Sequence, residues 1–137
     1  MTRYIAAYLA TLIVFLAIDF VWLSSMANTL YRPVLKEILL PDFRLAPAIV
    51  FYLLFALGLV IFGVSAGIRS GNWTDALLFG ALFGFFCYAT YDLTNQATLK
   101  NWETRLSVID MAWGTVVSGA AATAGYFLSG WIERAIR

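Results

Sequence analysis

Four stretches of the chain are long and almost uniformly apolar. They cover about residues 4–26, 45–68, 73–99 and 107–132. A helix needs about 20 apolar residues to cross the hydrocarbon core of a bilayer, and each stretch reaches that length. The pattern predicts an all-α integral membrane protein: a four-transmembrane-helix bundle forming one domain, residues 1–137. Arg3 ahead of the first stretch raises the question of a signal peptide. Asp19 inside that stretch, and a length beyond the usual 7–15 residues or so of a signal core, predict a retained helix instead.

The connections carry their own patterns. In residues 27–44, Tyr31, Val34, Leu35, Ile38 and Leu39 recur at helical spacing, while Arg32, Lys36 and Glu37 fall elsewhere on the wheel. Pro33 suits a first helical turn and Pro41 a stop. This predicts a short interfacial amphipathic helix over 31–39, between helices 1 and 2. Asn72 is placed to cap the third helix, with Asp75 at the N3 position. Ser107 and Asp110 have capping-box spacing at the start of the fourth. Gly63 with Gly67, and Gly80 with Gly84, are small-xxx-small pairs that allow close helix approach, within the chain or in a homo-oligomer. The second span, polar only at Tyr52 and Ser65, reads as scaffold.

Composition agrees with the pattern. The chain is 62% hydrophobic and 12% charged, where a soluble domain carries about 25% charge. A net charge of +1 gives no basis for nucleic-acid binding. One cysteine, Cys87, excludes an intrachain disulfide, and the absence of histidine removes the commonest metal ligand. Nothing in the sequence calls for a metal or a cofactor. Arg3, Arg69, Arg134 and Arg137 fall on one side of the membrane, and Arg32, Lys36, Arg44, Lys100 and Arg105 on the other. That balance selects no orientation under the positive-inside rule.

Against this apolar background three aspartates stand out: Asp19, Asp92 and Asp110. The first and third spans exit on the same side, and the fourth enters from it. Asp19 precedes Met26 by seven residues, Asp92 precedes Leu99 by seven, and Asp110 follows Ser107 by three. At about 1.5 Å per residue, all three lie within roughly 10 Å of one membrane boundary. The far leaflet is left with Thr11, Tyr52, Ser65, Ser118, Thr123 and Tyr126. An ionisable group in hydrocarbon costs about 2.5–3.5 kcal/mol on insertion scales and marks a functional site by default. Like charges brought together cannot all stay ionised, so the cluster must take up a proton or meet a cation.

The surroundings of the acids extend the site. Tyr88, Asp92 and Asn95 share a face of the third helix, with Tyr91 and Thr94 nearby. Asp19-x-x-Trp22 and Asp110-x-x-Trp113 have the same spacing, which puts each indole one turn from its carboxylate. The candidate proton-transfer residues are Asp92, Asp19 and Asp110. The candidate ligand-binding residues are Tyr88, Tyr91, Asn95, Thr94, Trp22 and Trp113. Structural alternatives exist for each acid: a helix cap for Asp110, an interfacial pair with Arg32 or Lys36 for Asp19, and a polar bundle contact for Asp92.

The segments Tyr91-Asp92-Leu93-Thr94-Asn95 with Ala97-Thr98-Leu99, Asp110-Met111-Ala112-Trp113-Gly114, and Leu30-Tyr31-Arg32-Pro33 resemble the hallmarks of a family of small bacterial membrane proteins of unknown function. The resemblance covers essentially the whole chain. It implies four helices in a bacterial inner membrane, and no activity. Three functions fit the sequence. In the first, the protein binds or modifies a lipid-like molecule by acid-base chemistry, with membrane lipids as its partners. In the second, it is a proton- or cation-coupled transporter or channel. In the third, it is a non-catalytic accessory subunit packing through its glycines.

Overall fold

The computed structural model describes residues 1–137, all of them in helices or short connections, with no strand. Helix α1 is Thr2–Leu35, α2 Leu45–Ser70, α3 Trp73–Thr98 and α4 Thr104–Ala135, and each is long and apolar enough to cross a membrane. The expected four-helix architecture is therefore observed.

Helix α4 is the axis of the bundle. Its apolar window is 50% buried, against 22–28% for the other three. The reason lies in its sequence: Gly114, Ser118, Ala121, Ala122 and Gly125 form a buried face of small residues that lets neighbours come close. A methyl group on Gly80 of α3 would sit 2.5 Å from Ala122 Cβ and 3.2 Å from the Ser118 carbonyl oxygen. One on Gly63 of α2 would sit 2.9 Å from the Gly80 Cα. Gly67 meets Ala76, and Gly84 meets Ser118 and the Gly114 carbonyl. The glycine pairs thus close α2 and α3 onto one another and onto α4 within a single chain.

Large side chains fill the rest of the interior. Phe15 of α1, Phe55 and Leu59 of α2, and Val117 and Ala121 of α4 form one cluster. Ala7, Val60, Val64 and Ala122 form a second. Outward residues such as Ile13, Phe20, Leu54, Phe62 and Phe86 are exposed. That would be an aggregation liability in water and is the expected surface in lipid. At the far end from the acids, Arg3 donates to Ser129 Oγ (3.5 Å) and the Tyr126 carbonyl (3.4 Å), and pairs with Glu133 at 3.8 Å.

The turns follow local chemistry. Gly71 adopts φ 71°, in the left-handed region, and closes α2 with a bond from its N–H to the Gly67 carbonyl. Asn72 caps α3 as expected, its Oδ1 accepting from the Thr74 N–H at 3.1 Å. Between α3 and α4, Asn101 takes φ 65° and donates to Glu37 Oε2 at 2.7 Å.

Two expectations change in detail. The helix predicted over 31–39 is present only as Arg32–Leu35, the last turn of α1, which a π-helical turn at Ala27–Tyr31 joins to the long Thr2–Met26 part. Most of the predicted apolar stripe faces protein: Val34 and Leu35 are buried with Leu30 and Leu106, and Tyr31 and Leu39 pack against them beside Trp22 and Trp102, while Ile38 is exposed. Helix α4 begins at Thr104 with Glu103 as its N-cap, so Ser107 is already helical and Asp110 completes no capping box. Ser107 is instead buried; it accepts from Trp102 Nε1 (2.9 Å) and donates to the Asp92 carbonyl (3.4 Å).

Candidate functional site

The three aspartates are the buried acids of this protein. Asp92 is fully buried, and Asp19 and Asp110 are each 6% exposed. None pairs with a cation, since the ion pairs are Arg3–Glu133, Arg105–Glu103 and Arg137–Glu133. Each acid is held differently, and the differences follow from which helix presents it.

Asp19 projects from α1 between α2 and α4. It accepts from Tyr52 Oη at 2.6 Å and from Trp113 Nε1 at 3.2 Å. Asp110 projects from α4 toward the end of α1 and accepts from Tyr31 Oη at 2.5 Å. Tyr31 in turn accepts from Trp22 Nε1 at 2.9 Å. The two Asp-x-x-Trp motifs therefore work crosswise. The indole of α4 serves the acid of α1, and the indole of α1 reaches the acid of α4 through Tyr31. Trp22 and Trp113 stack at 4.2 Å with 7° between their planes, joining the two halves.

This arrangement depends on the π turn. Residues nine apart on a regular α-helix point in opposite directions. The π turn at Ala27–Tyr31 lies between Trp22 and Tyr31 and unwinds the helix there. Tyr31 is thereby turned back over the bundle end. Single π turns inside α-helices recur at functional sites.

Asp92 is held differently. Its carboxyl faces that of Asp110 at hydrogen-bonding range. No protein N–H or O–H donates to either of its oxygens. Two carboxyl groups can bond only if one carries a proton, and a proton shared between Asp92 and Asp110 would serve one oxygen of each and still leave Asp92 short of donors. The Tyr88 ring packs on Gly114, where a methyl group would overlap it. The Tyr88 hydroxyl lies within electrostatic range of Asp19, Asp110, Tyr31 and Tyr52. The three acids do not converge on one point, for no group of three or more His, Cys, Asp or Glu is arranged to hold a metal ion.

Of the other residues singled out in the sequence, Trp22, Trp113 and Tyr88 lie within this network. Tyr91 faces outward, 56% exposed, with its ring edge-on to Trp102 at 5.8 Å. Thr94 is exposed and donates to carbonyls of its own helix, Thr90 and Tyr91. Asn95 is partly exposed.

Two residues that make direct bonds to the acids lie outside that set: Tyr31 and Tyr52. The sequence pattern puts Tyr31 on an interfacial stripe and Tyr52 in the far leaflet of a scaffold span, whereas the structure sets both hydroxyls on the acids. Tyr52 is only seven residues from the start of α2. Helix α2 starts on the side where α1 ends, so counting depth from that end places Tyr52 level with Asp19. The sequence signal was present.

An apolar groove opens to the lipid side beside this cluster. It has a volume of about 390 Å³ and is lined by Leu16, Ala17, Phe20, Leu23 and Tyr52. Tyr52 is thus shared between the groove wall and the Asp19 hydrogen bond.

Fold and site together define a small four-helix membrane protein with buried carboxyl groups gathered toward one end of the bundle. The chain belongs to the family described as predicted membrane protein (DUF2177), whose model matches residues 4–127. No curated protein and no solved structure matches it.

Proposed function

We propose that this protein binds a lipid-like molecule in the acid-lined leaflet of a bacterial inner membrane and acts on it by proton transfer through Asp92. The observation that carries this reading is the state of Asp92: a fully buried carboxyl with no donor on either oxygen, facing a second carboxyl. A purely structural acid would be expected to collect donors, as Asp19 does. Asp92 donates the shared proton to the ligand and is left as a carboxylate beside Asp110, whose own charge is steadied by the Tyr31 hydroxyl. The pair regains a single proton when the reaction returns one. Tyr88 positions the ligand between Asp110 and Asp19. The groove along Leu16, Phe20 and Tyr52 gives a chain-bearing molecule lateral access. The segment carrying Tyr31 covers the polar end.

A lipid profile by mass spectrometry tests the proposal. Cells lacking the protein are compared with cells expressing wild type or Asp92→Asn, with both proteins verified in the membrane. A lipid species that depends on wild type and is lost with Asp92→Asn is the expected result. Indistinguishable profiles would refute it.

One observation favours a second reading, proton or cation transport. Thr11 Oγ1 and Ser118 Oγ are buried without partners, and both lie about 12 Å along their helices from the acids. They extend polarity into the far leaflet. Proton flux into liposomes that is abolished by Asp92→Asn, with an unchanged lipid profile, would select transport.

A further inference from the structure

The end of the bundle opposite the acids carries a second group of charges. All four basic residues there are arginines, Arg3, Arg69, Arg134 and Arg137, while both lysines, Lys36 and Lys100, lie at the acid end. The planar fork of arginine matches phosphate oxygens, which a lysine ammonium contacts only as a point charge. Glu133 is the one carboxylate that pairs with any of these arginines, with Arg3 at 3.8 Å and with Arg137 at 2.8 Å. Arg134 enters no ion pair, and Asp75, the other acid at this end, pairs with none of them. Arg3 is loosely held as well. Its bonds to Ser129 Oγ (3.5 Å) and the Tyr126 carbonyl (3.4 Å) are long beside the usual charge-assisted length of about 2.7–2.9 Å.

Gly130 brings two of these groups to one place. A methyl group on it would lie 3.3 Å from Arg3 Nη2 and 3.7 Å from Arg134 Nη1. The guanidinium groups of α1 and α4 therefore flank a gap that the glycine leaves open. Their nitrogens are no more than about 7 Å apart, a span that the oxygens of one phosphate bridge with charge-assisted hydrogen bonds. Like charges this close repel, and one carboxylate shared with Arg137 offsets only part of that. The surroundings are those of a membrane interface. Trp131 and Tyr4 are exposed beside the gap, as in an aromatic belt, and exposed Ile5, Leu9 and Leu128 continue along the same two helices toward the hydrocarbon. Basic pockets between membrane helices are where anionic head groups bind.

We propose that Arg3 and Arg134 hold a phosphate group over Gly130, carried by a net-anionic phospholipid in the leaflet opposite the acids. A zwitterionic lipid presents the same phosphate but brings its own cation toward two arginines, so the net-anionic head group is preferred. This site shares no residue with the aspartate cluster and does not depend on the function proposed for it.

The test uses full-length protein in a neutral detergent, titrated with dioleoylphosphatidylglycerol or dioleoylphosphatidylcholine and read by native mass spectrometry. One phosphatidylglycerol should bind saturably, and phosphatidylcholine at least tenfold more weakly. Arg3→Gln and Arg134→Gln should each weaken phosphatidylglycerol at least tenfold. Gly130→Ala fills the gap without changing any charge and should weaken it at least threefold, which diffuse attraction to a basic surface would not produce. Arg105→Gln, at the acid end, should leave binding unchanged. Helical circular dichroism verifies folding of each variant. Arg134 is exposed and makes no ion pair, so its variant carries the test if Arg3→Gln fails to fold. Equal binding of the two lipids, or an equal loss with Arg105→Gln, would reduce the site to a general charge effect and overturn it. Arginine variants that weaken binding while Gly130→Ala does not would overturn the gap as the phosphate position. Displacement of the lipid by millimolar inorganic phosphate would uphold the phosphate chemistry and overturn the lipid as its carrier.

Discussion

Replacing Asp92 by asparagine separates a functional acid from a structural one. The side chain keeps its shape, and the position is fully buried. In the wild type neither Asp92 oxygen receives a donor, and the neighbour is another carboxyl. A buried polar group without a partner costs about 1–3 kcal/mol. The asparagine amide has two N–H donors and can bond Asp110 directly, with no shared proton needed. The variant should therefore be more stable than wild type by about 1–3 kcal/mol while losing function, as expected of a site that sacrifices stability for chemistry. The assay is reversible unfolding of the purified protein in mixed micelles, followed by helical circular dichroism at fixed protein concentration. If Asp92→Asn is instead less stable by 1 kcal/mol or so, Asp92 is a structural tether and the argument for proton transfer fails.

Other consequences follow from the same contacts. Tyr31→Phe removes a bond to a buried carboxylate and leaves the Trp22 N–H without its acceptor, so unfolding should become easier by about 1.5–3 kcal/mol. Trp113→Phe breaks the bond to Asp19 and the indole stack together; near-ultraviolet circular dichroism should lose most of its tryptophan signal while far-ultraviolet helicity stays. Gly84→Ala forces a methyl group into Ser118 and the Gly114 carbonyl, and the α3–α4 pair should lose about 1–3 kcal/mol by overpacking. Gly71→Ala is the contrast: nothing lies within 4 Å, and only the left-handed backbone at φ 71° opposes it, at about 1–2 kcal/mol.

The spans, the Asn72 cap and the depth of the three acids were legible in the chain because each depends on local spacing alone. Hydrocarbon sets a minimum length for an apolar run, and a helix fixes depth at a constant rise per residue. The same rule applied to Tyr52 from the start of α2 would have put it beside Asp19. Which acid meets which donor was not legible. That depends on the rotation of each helix about its axis, which is set by how the small faces of α3 and α4 interlock at Gly80, Gly84, Ser118 and Ala122. Asp92 and Asp110 face one another because that interlock turns them inward, and it leaves Tyr91 turned out. The crosswise use of the two Asp-x-x-Trp motifs needed one further element, the π turn at Ala27–Tyr31, which no residue type announces. The sequence by itself determined a four-span membrane helix bundle with its acids at one depth. Only the tertiary structure decided the partners of those acids, because helix rotation and backbone unwinding are settled by packing between segments far apart in the chain.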